Sequence, residues 1–184
     1  MQVHMRSLWK WHLLIFMTAS VVANFVSIYH LPITTLAAPA SKQNSATETE
    51  TVRPDKVTQA ILNLKESQQR WIEINLKEQK LLAWEGNQFV YGTTISTGKR
   101  LTPTPTGVFA VQTKLRQARM RGSDYDIPDV PYTMYYDGNY AIHGAYWHNN
   151  FGTPVSHGCV NLPPKKALWL FNWAKVGTPV VVRK

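Results

Sequence analysis

The spacing of apolar side chains changes along the chain, and the change separates it into segments. From Trp71 onward, Ile72, Ile74 and Leu76 alternate with polar residues. Alternation with a period of two is typical of a β-strand that buries one face. The stretches 80–84 and 88–96, separated by the turn-forming residues 85–87, continue this pattern and predict a β-meander.

The second half of the chain predicts shorter strands and one helix. We expect strands over 106–114, 131–136, 139–143 and 178–182, and a loop over the charged stretch 116–129. Residues 165–174 are expected to form a helix, because Pro164 can open it and Leu168 and Phe171 give it an apolar side. Strands predominate, so residues 70–184 are expected to form a mainly β domain, either a sandwich or a barrel.

The first 40 residues have the pattern of a targeting segment. Arg6 and Lys10 precede a largely apolar run over 13–28, which is shorter than the roughly 20 residues of a membrane-spanning helix. Ala38 and Ala40 then match the small-residue pattern of a signal-peptide cleavage site. We therefore expect residues 1–40 to be a signal peptide, with an uncleaved membrane anchor as the alternative. Either alternative places the rest of the chain outside the cytoplasm.

Residues 41–69 are expected to link this segment to the domain. The stretch 41–55 is polar and holds too few apolar side chains to offset the entropy lost on ordering. Val57, Ile61 and Leu64 have roughly helical spacing. The later part of the linker is therefore expected to be either a short helix or a continuation of the flexible segment.

The charge of the chain limits its partners. It contains 20 Lys and Arg residues against 11 Asp and Glu residues, and Arg6 and Lys10 are the only charged residues among the first 40. The remainder is therefore also basic, which suits a polyanion such as nucleic acid, an anionic membrane or a cell-wall polymer. The basic residues are scattered and form no stripe, so we do not expect nucleic acid to be the partner.

Cys159 is the only cysteine, so the chain forms no internal disulfide. His143, His148 and His157 lie close to it in sequence, and a neighbouring histidine can accept the proton of a nucleophilic thiol. Consecutive backbone N–H groups in the tight segment 156–159, fixed by Asn161, would suit an oxyanion hole. Two alternatives remain from these residues alone. The thiol can be a buried structural group, or it can join the three histidines in a zinc site that lacks the usual paired ligand spacing.

The segments Ile142-His143-Gly144 and Ser156-His157-Gly158-Cys159-Val160-Asn161 resemble the signature of the L,D-transpeptidases with a YkuD-type catalytic domain. Residues 96–98 (STG) and 104–109 (TPTGVF) resemble two further segments of that family, and the similarity covers about residues 70–184. In one respect the chain departs from the pattern. The residues between His143 and Ser156 are fewer than in many members, which shortens the loop 147–154 and changes the substrate groove rather than the catalytic pair.

The resemblance implies a β-sandwich with one short helix and loops over the active site. It also implies that Cys159 is the nucleophile and His143 its base, with neither a cofactor nor a metal. Gly144 matches the residue whose carbonyl orients the base, and His157, Gly158 and Cys159 match the positions whose backbone N–H groups form the oxyanion hole. Weaker expectations for substrate contacts fall on four further residues: Ser156, Asn161, Tyr132 and Trp147.

The implied substrate is the peptide stem of peptidoglycan, and the implied place of action is the periplasm or the cell wall. In the implied reaction a tetrapeptide stem loses its terminal D-Ala and is transferred to an amine, which cross-links the wall. Three alternatives remain: an L,D-carboxypeptidase that uses water as the acceptor, a non-catalytic wall-binding module with the same fold, and a zinc protein.

Overall fold

Two β-sheets and two helices make up residues 55–184, the part of the chain that the computed structural model describes. The expected signal peptide or anchor and the first part of the expected linker lie outside the described residues. Within residues 55–184, no helix has the length and apolar character needed to span a membrane. In chain order the elements are α1 (Lys56–Glu66), β1 (Arg70–Asn75), β2 (Lys80–Glu85), β3 (Gln88–Thr94), β4 (Gly107–Ala110), β5 (Thr113–Arg121), β6 (Asp126–Asp137), β7 (Tyr140–Gly144), β8 (Val160–Leu162), α2 (Pro164–Trp173) and β9 (Pro179–Arg183).

The strands form a sandwich of two sheets, with orders β3-β2-β1-β9-β4 and β5-β6-β7-β8. Ile72 and Leu81 from the first sheet, and Met134 and Ile142 from the second, are fully buried in one shared core. Leu170 of α2 belongs to the same core. The expected mainly β sandwich is confirmed, and the barrel alternative is excluded because the nine strands divide between two separate sheets.

A second helix, α1, occupies part of the segment expected to be a linker. Its first turn is capped by the Asp55 carboxylate, which accepts hydrogen bonds from the N–H groups of Val57 (2.8 Å) and Thr58 (2.9 Å). Leu64 of this helix packs with Trp71 and Val181 of the first sheet. Residues 56–66 therefore form the short helix that was one of the two alternatives for the later part of the linker, and the described domain has two helices rather than one.

The stretch 116–129 was expected to be a loop, and that prediction is wrong. Most of it forms β5 and the start of β6, a long antiparallel hairpin. Arg119 and Asp126 form a cross-strand ion pair of 2.6 Å on this hairpin. Charged residues that suggested a loop therefore sit on the solvent-facing sides of paired strands, where opposite charges across a ladder are favourable.

The strand order of the second sheet brings the residues of the candidate site close together. Strands β7 and β8 are parallel neighbours, with His143 opposite Asn161. Because β8 starts one residue after Cys159, the thiol lies at the edge of the same ladder as His143. Isolated bridges join Ser96 to Asn161 and Gly98 to Ser156, so the segment after β3 is tied to the same place.

Candidate active site

Cys159 and His143 line one cavity of about 160 Å³, which we call the first cavity. Trp147, Ser156 and Asn161 also line it. The hairpin β5–β6 contributes Met120, Tyr125 and Ile127, so one wall of the cavity comes from the stretch that sequence analysis expected to be a loop. These three residues were missed because the charges around them concealed the alternation of the strands.

The His143 ring is held in one orientation. It is 2% exposed, and its Nδ1 atom lies 3.0 Å from the carbonyl oxygen of Gly144. Because that oxygen can only accept, Nδ1 carries the proton and Nε2 is left as an acceptor. Burial lowers the pKa of His143 to about 4, against an opposing effect of the Gly144 carbonyl. The ring of Trp147 stacks on the imidazole at 5.7 Å.

The Cys159 thiol is partly exposed and lies beside the turn between β6 and β7. Its Sγ atom donates to the carbonyl oxygen of Asn139 at 3.7 Å. Burial raises the pKa of Cys159, and a hydrogen bond from the Ala141 backbone opposes that rise. Thiol and imidazole are therefore both neutral near pH 7, a state in which His143 can accept the thiol proton.

Ser156 shapes the tight turn that precedes β8. Its hydroxyl donates to the Cys159 carbonyl (2.6 Å) and accepts from the Gly158 N–H (3.0 Å). Gly158 was expected to be an oxyanion-hole donor, but this bond occupies its N–H. Gly158 instead has a φ of +116°, and a Cβ there would lie 2.5 Å from the Tyr140 ring. Within residues 55–184 the backbone N–H groups of His157 and Cys159 have no acceptor, so these two remain as candidate donors.

Asn161 and His148 hold the short loop between β7 and Ser156. The Asn161 amide lies 2.9 Å from Nε2 of His148, and the N–H of Asn150 donates to Nδ1 at 3.2 Å. The Asn161 atom that faces His148 is the amide nitrogen, Nδ2, and the amide oxygen of Asn161 is buried without a hydrogen-bond partner among the described residues. Ser96 fixes the same loop by donating to the Asn150 carbonyl at 2.8 Å.

His157 connects the turn to the tip of the hairpin. Its Nε2 atom lies 3.0 Å from Oδ2 of Asp124, and its ring lies 4.8 Å from that of Tyr125. The hydrogen bond to His157 lowers the pKa of Asp124. His157 was expected to act through its backbone N–H, and its side chain also links the turn to the hairpin. The sequence motif does not show this second role.

The family model of the YkuD L,D-transpeptidase catalytic domain matches residues 69–182. This chain belongs to the L,D-transpeptidase family. It is 37% identical over 100 residues to L,D-transpeptidase 1 of Mycobacterium tuberculosis, an alignment that covers 47% of this chain and 39% of that protein. The matched region thus spans about two fifths of the length of that curated relative.

Solved structures of L,D-transpeptidases have the same fold. The catalytic domain of the Enterococcus faecium enzyme superposes with a TM-score of 0.58 at 34% identity, covering 63% of this chain and 98% of that domain. A second L,D-transpeptidase structure, an avibactam carbamoyl enzyme, superposes with a TM-score of 0.59 at 35% identity and covers 62% of this chain and 49% of its own. The similarity therefore covers nearly all of the described sandwich.

Tyr132 is not among the residues that line the first cavity, whereas Trp147, Ser156 and Asn161 are. The Tyr132 ring packs against Phe171 of α2, with centroids 5.9 Å apart, at the edge of the core. Its role as a substrate contact stays a prediction.

The histidines of this L,D-transpeptidase site are held by protein groups. Nδ1 of His143 faces a carbonyl, both nitrogens of His148 have partners, and Nε2 of His157 faces Asp124. Among residues 55–184, no three or more His, Cys, Asp or Glu side chains are grouped to hold a metal ion. The zinc alternative therefore finds no support in the geometry.

Proposed function

We propose that this protein is a peptidoglycan L,D-transpeptidase that uses Cys159 as its nucleophile. One observation carries the proposal: a buried imidazole, fixed by the Gly144 carbonyl, shares a cavity with the single thiol and with two unoccupied backbone donors. Nucleophile, oriented base and oxyanion donors are the three parts that acyl transfer requires.

In the first half-reaction the Cys159 sulfur attacks the carbonyl between the diamino acid and the terminal D-Ala of a tetrapeptide stem. Nε2 of His143 takes the thiol proton as the S–C bond forms. The negative charge on the carbonyl oxygen is stabilised by the N–H groups of His157 and Cys159. The C–N bond then breaks, and His143 returns the proton to the leaving amine of D-Ala, which leaves a thioester on Cys159.

In the second half-reaction an amine of another stem attacks the thioester. His143 removes a proton from that amine, the C–S bond breaks, and the proton passes to the departing sulfur. The products are a cross-linked pair of stems and a regenerated thiol. Water in place of the amine would give a trimmed stem, so the carboxypeptidase differs only in its acceptor.

The proposed substrate lies outside the cytoplasm, so we also propose that the protein is exported. The basic and apolar pattern of residues 1–40 supports this proposal as a signal peptide or membrane anchor. Sequencing the N-terminus of the protein recovered from its native cell envelope tests it. A mature chain that starts at Ser41 would identify a signal peptide, and a chain that retains residues 1–40 would identify an anchor.

Reaction of the full-length protein with a purified disaccharide-tetrapeptide, analysed by mass spectrometry, tests the proposed function. We expect loss of D-Ala and formation of a joined dimer, and we expect Cys159→Ala to abolish both. Loss of D-Ala without a dimer, when free stem amines are present, would identify the carboxypeptidase. A folded wild-type protein that binds the stem without releasing D-Ala would identify a wall-binding module.

A further inference from the structure

A second cavity, of about 600 Å³, adjoins the first one. Its walls are the loop 99–102, the hairpin tip at Ser123 and Asp124, and the side chain of His157. His157, whose side chain is paired with Asp124, also lines the first cavity, so the two cavities share this residue as a wall. The second cavity therefore adjoins the cavity that Cys159 lines.

The loop 99–102 is hydrogen-bonded to Ser156, in the turn that precedes β8. The N–H of Lys99 and the hydroxyl of Thr102 both donate to the Ser156 carbonyl, at 3.0 and 3.1 Å. A Cβ at Gly98 would lie 2.1 Å from the Thr102 carbonyl oxygen, so only glycine lets the loop close in this way. The position of the loop relative to the thiol is thus set by the same turn that sets the oxyanion donors.

The wall of the second cavity contains two cations that pair with no acidic side chain among the described residues. Lys99 and Arg100 are exposed, and neither forms an ion pair with any of the described residues. Asp124 is the one acidic residue in the wall, and its carboxylate is engaged by His157. Two adjacent cations at the rim of a cavity favour an anionic group, and arginine suits a carboxylate through paired hydrogen bonds.

The sizes of the two cavities indicate how a peptide would divide between them. The first cavity, at about 160 Å³, is smaller than the roughly 300–1,000 Å³ typical of ligand pockets, whereas the second lies within that range. A stem of several residues that presents one amide to Cys159 must therefore extend beyond the first cavity. The neighbouring cavity, which shares His157, has two cations in its wall, Lys99 and Arg100.

We propose that the second cavity binds the carboxylate groups that flank the scissile amide of the stem peptide, with Lys99 and Arg100 as the binding residues. This inference rests on the proposed function for the identity of the peptide. The carboxylates are those of the diamino acid and of the terminal D-Ala. Recognition of both would orient the amide carbonyl toward Cys159 and toward the two backbone donors.

Binding to full-length protein carrying Cys159→Ala, measured by titration calorimetry, tests the assignment without requiring turnover. The probes are a synthetic tetrapeptide that ends in the diamino acid and D-Ala, and its analogue in which those two carboxylates are amidated. We expect Lys99→Gln with Arg100→Gln to weaken binding of the free-acid peptide by about tenfold, since bonds to charged groups are among the stronger polar contacts.

A matched control separates local binding from the overall charge. Lys165→Gln with Lys166→Gln removes the same two charges from an exposed pair at the start of α2, which does not line the second cavity. We expect this control to change the affinity less than about twofold, because exposed charges far from a ligand are screened by salt. The amidated peptide is expected to bind weakly and with equal affinity to all three proteins.

Three results would overturn the inference: equal affinity of the Lys99/Arg100 variant and the control, an equal loss for the amidated peptide, or no binding of either peptide.

A kinetic readout with Cys159 restored keeps this test separate from the proposed function. If the wild type turns over the tetrapeptide while the Lys99/Arg100 variant retains its KM, the cavity assignment is wrong and the transpeptidase stands. If binding depends on the carboxylates but no D-Ala is released, the cavity assignment stands and the reaction is wrong.

Discussion

The environments of single residues decide how the proposed reaction begins. Burial lowers the pKa of His143 to about 4 and raises that of Cys159, so the resting pair is a neutral imidazole and a neutral thiol. The Gly144 carbonyl holds the proton of the imidazole on Nδ1, which leaves Nε2 ready to accept. The thiol is therefore expected to lose its proton during attack on the substrate rather than beforehand.

Alkylation of Cys159 by iodoacetamide tests this neutral pair. We expect the rate to be low at pH 7 and to rise through pH 9, because only the thiolate reacts and its pKa is raised. His143→Gln is expected to leave this profile nearly unchanged, yet to slow release of D-Ala by about 10²–10⁴-fold. A reactive thiolate that titrates below pH 7, and that disappears in His143→Gln, would show an ion pair instead.

The same histidine makes the fold sensitive to acid. Its folded-state pKa of about 4 lies below the usual value of 6.5, so between these values the unfolded chain binds more protons than the folded one. We therefore expect its contribution of about 3 kcal/mol to the free energy of unfolding to be lost as pH falls from 6.5 to 4. Urea titrations of the wild type and of His143→Gln measure the difference. If the free energy of unfolding depended on pH identically in the two proteins, the lowered pKa of His143 would be contradicted.

At the scale of elements, α2 is fastened to the second sheet through its carboxyl end. Lys114 of β5 donates from Nζ to the carbonyl oxygens of Phe171 (2.5 Å) and Ala174. These are among the last carbonyls of the helix, which have no partner within the helix itself. Burial lowers the pKa of Lys114. The contact holds α2 against the second sheet, in which β7 carries His143.

Lys114→Met should therefore lower the free energy of unfolding by about 1 kcal/mol, a modest value because solvent screens much of this ammonium group. Lys77→Met is the matched control, since Lys77 is exposed and lies in the turn between β1 and β2. We expect the control to change the free energy by less than about 0.5 kcal/mol. Equal urea midpoints for the two variants would show that the helix-end contact contributes nothing.

The elements also show what the sequence could predict. The alternation over 70–96 predicts β1 to β3, which pair as neighbours in one sheet, but it did not show that residues 71–75 of β1 are buried on both faces. The hairpin 113–137 could not be predicted in full, because Arg119 and Asp126 neutralise each other only once the strands are paired. Helix α1 was left ambiguous because Leu64 is stabilised by contact with Trp71, which lies in another element.

The candidate site, like the elements, could be predicted from the sequence only in part. The sequence motif was sufficient to select Cys159 and His143, and the structure brings both to one cavity. It could not show that the Ser156 hydroxyl occupies the Gly158 N–H, since that depends on the conformation of the turn. Nor could it place Tyr132 against Phe171, because the contact joins residues far apart in the chain.

At the scale of the whole described domain, the candidate active site lies where three separate segments converge. The parallel pair β7–β8 supplies His143 and positions Cys159, the hairpin β5–β6 covers them, and the loop after β3 adds a basic cavity. Each segment is tied to the others through hydrogen bonds of Ser156 and His157. The proposed transpeptidase reaction at this site therefore requires that Cys159 carries the acyl group of the stem.

The most direct test traps that acyl group. Full-length wild-type protein is mixed with disaccharide-tetrapeptide in the absence of an acceptor amine, quenched in acid and digested for peptide mass mapping, beside Cys159→Ser. We expect a thioester adduct, equal to the stem without its terminal D-Ala, on the wild-type peptide that contains Cys159. An adduct on any other residue, or release of D-Ala by Cys159→Ser at the wild-type rate, would contradict the proposed reaction.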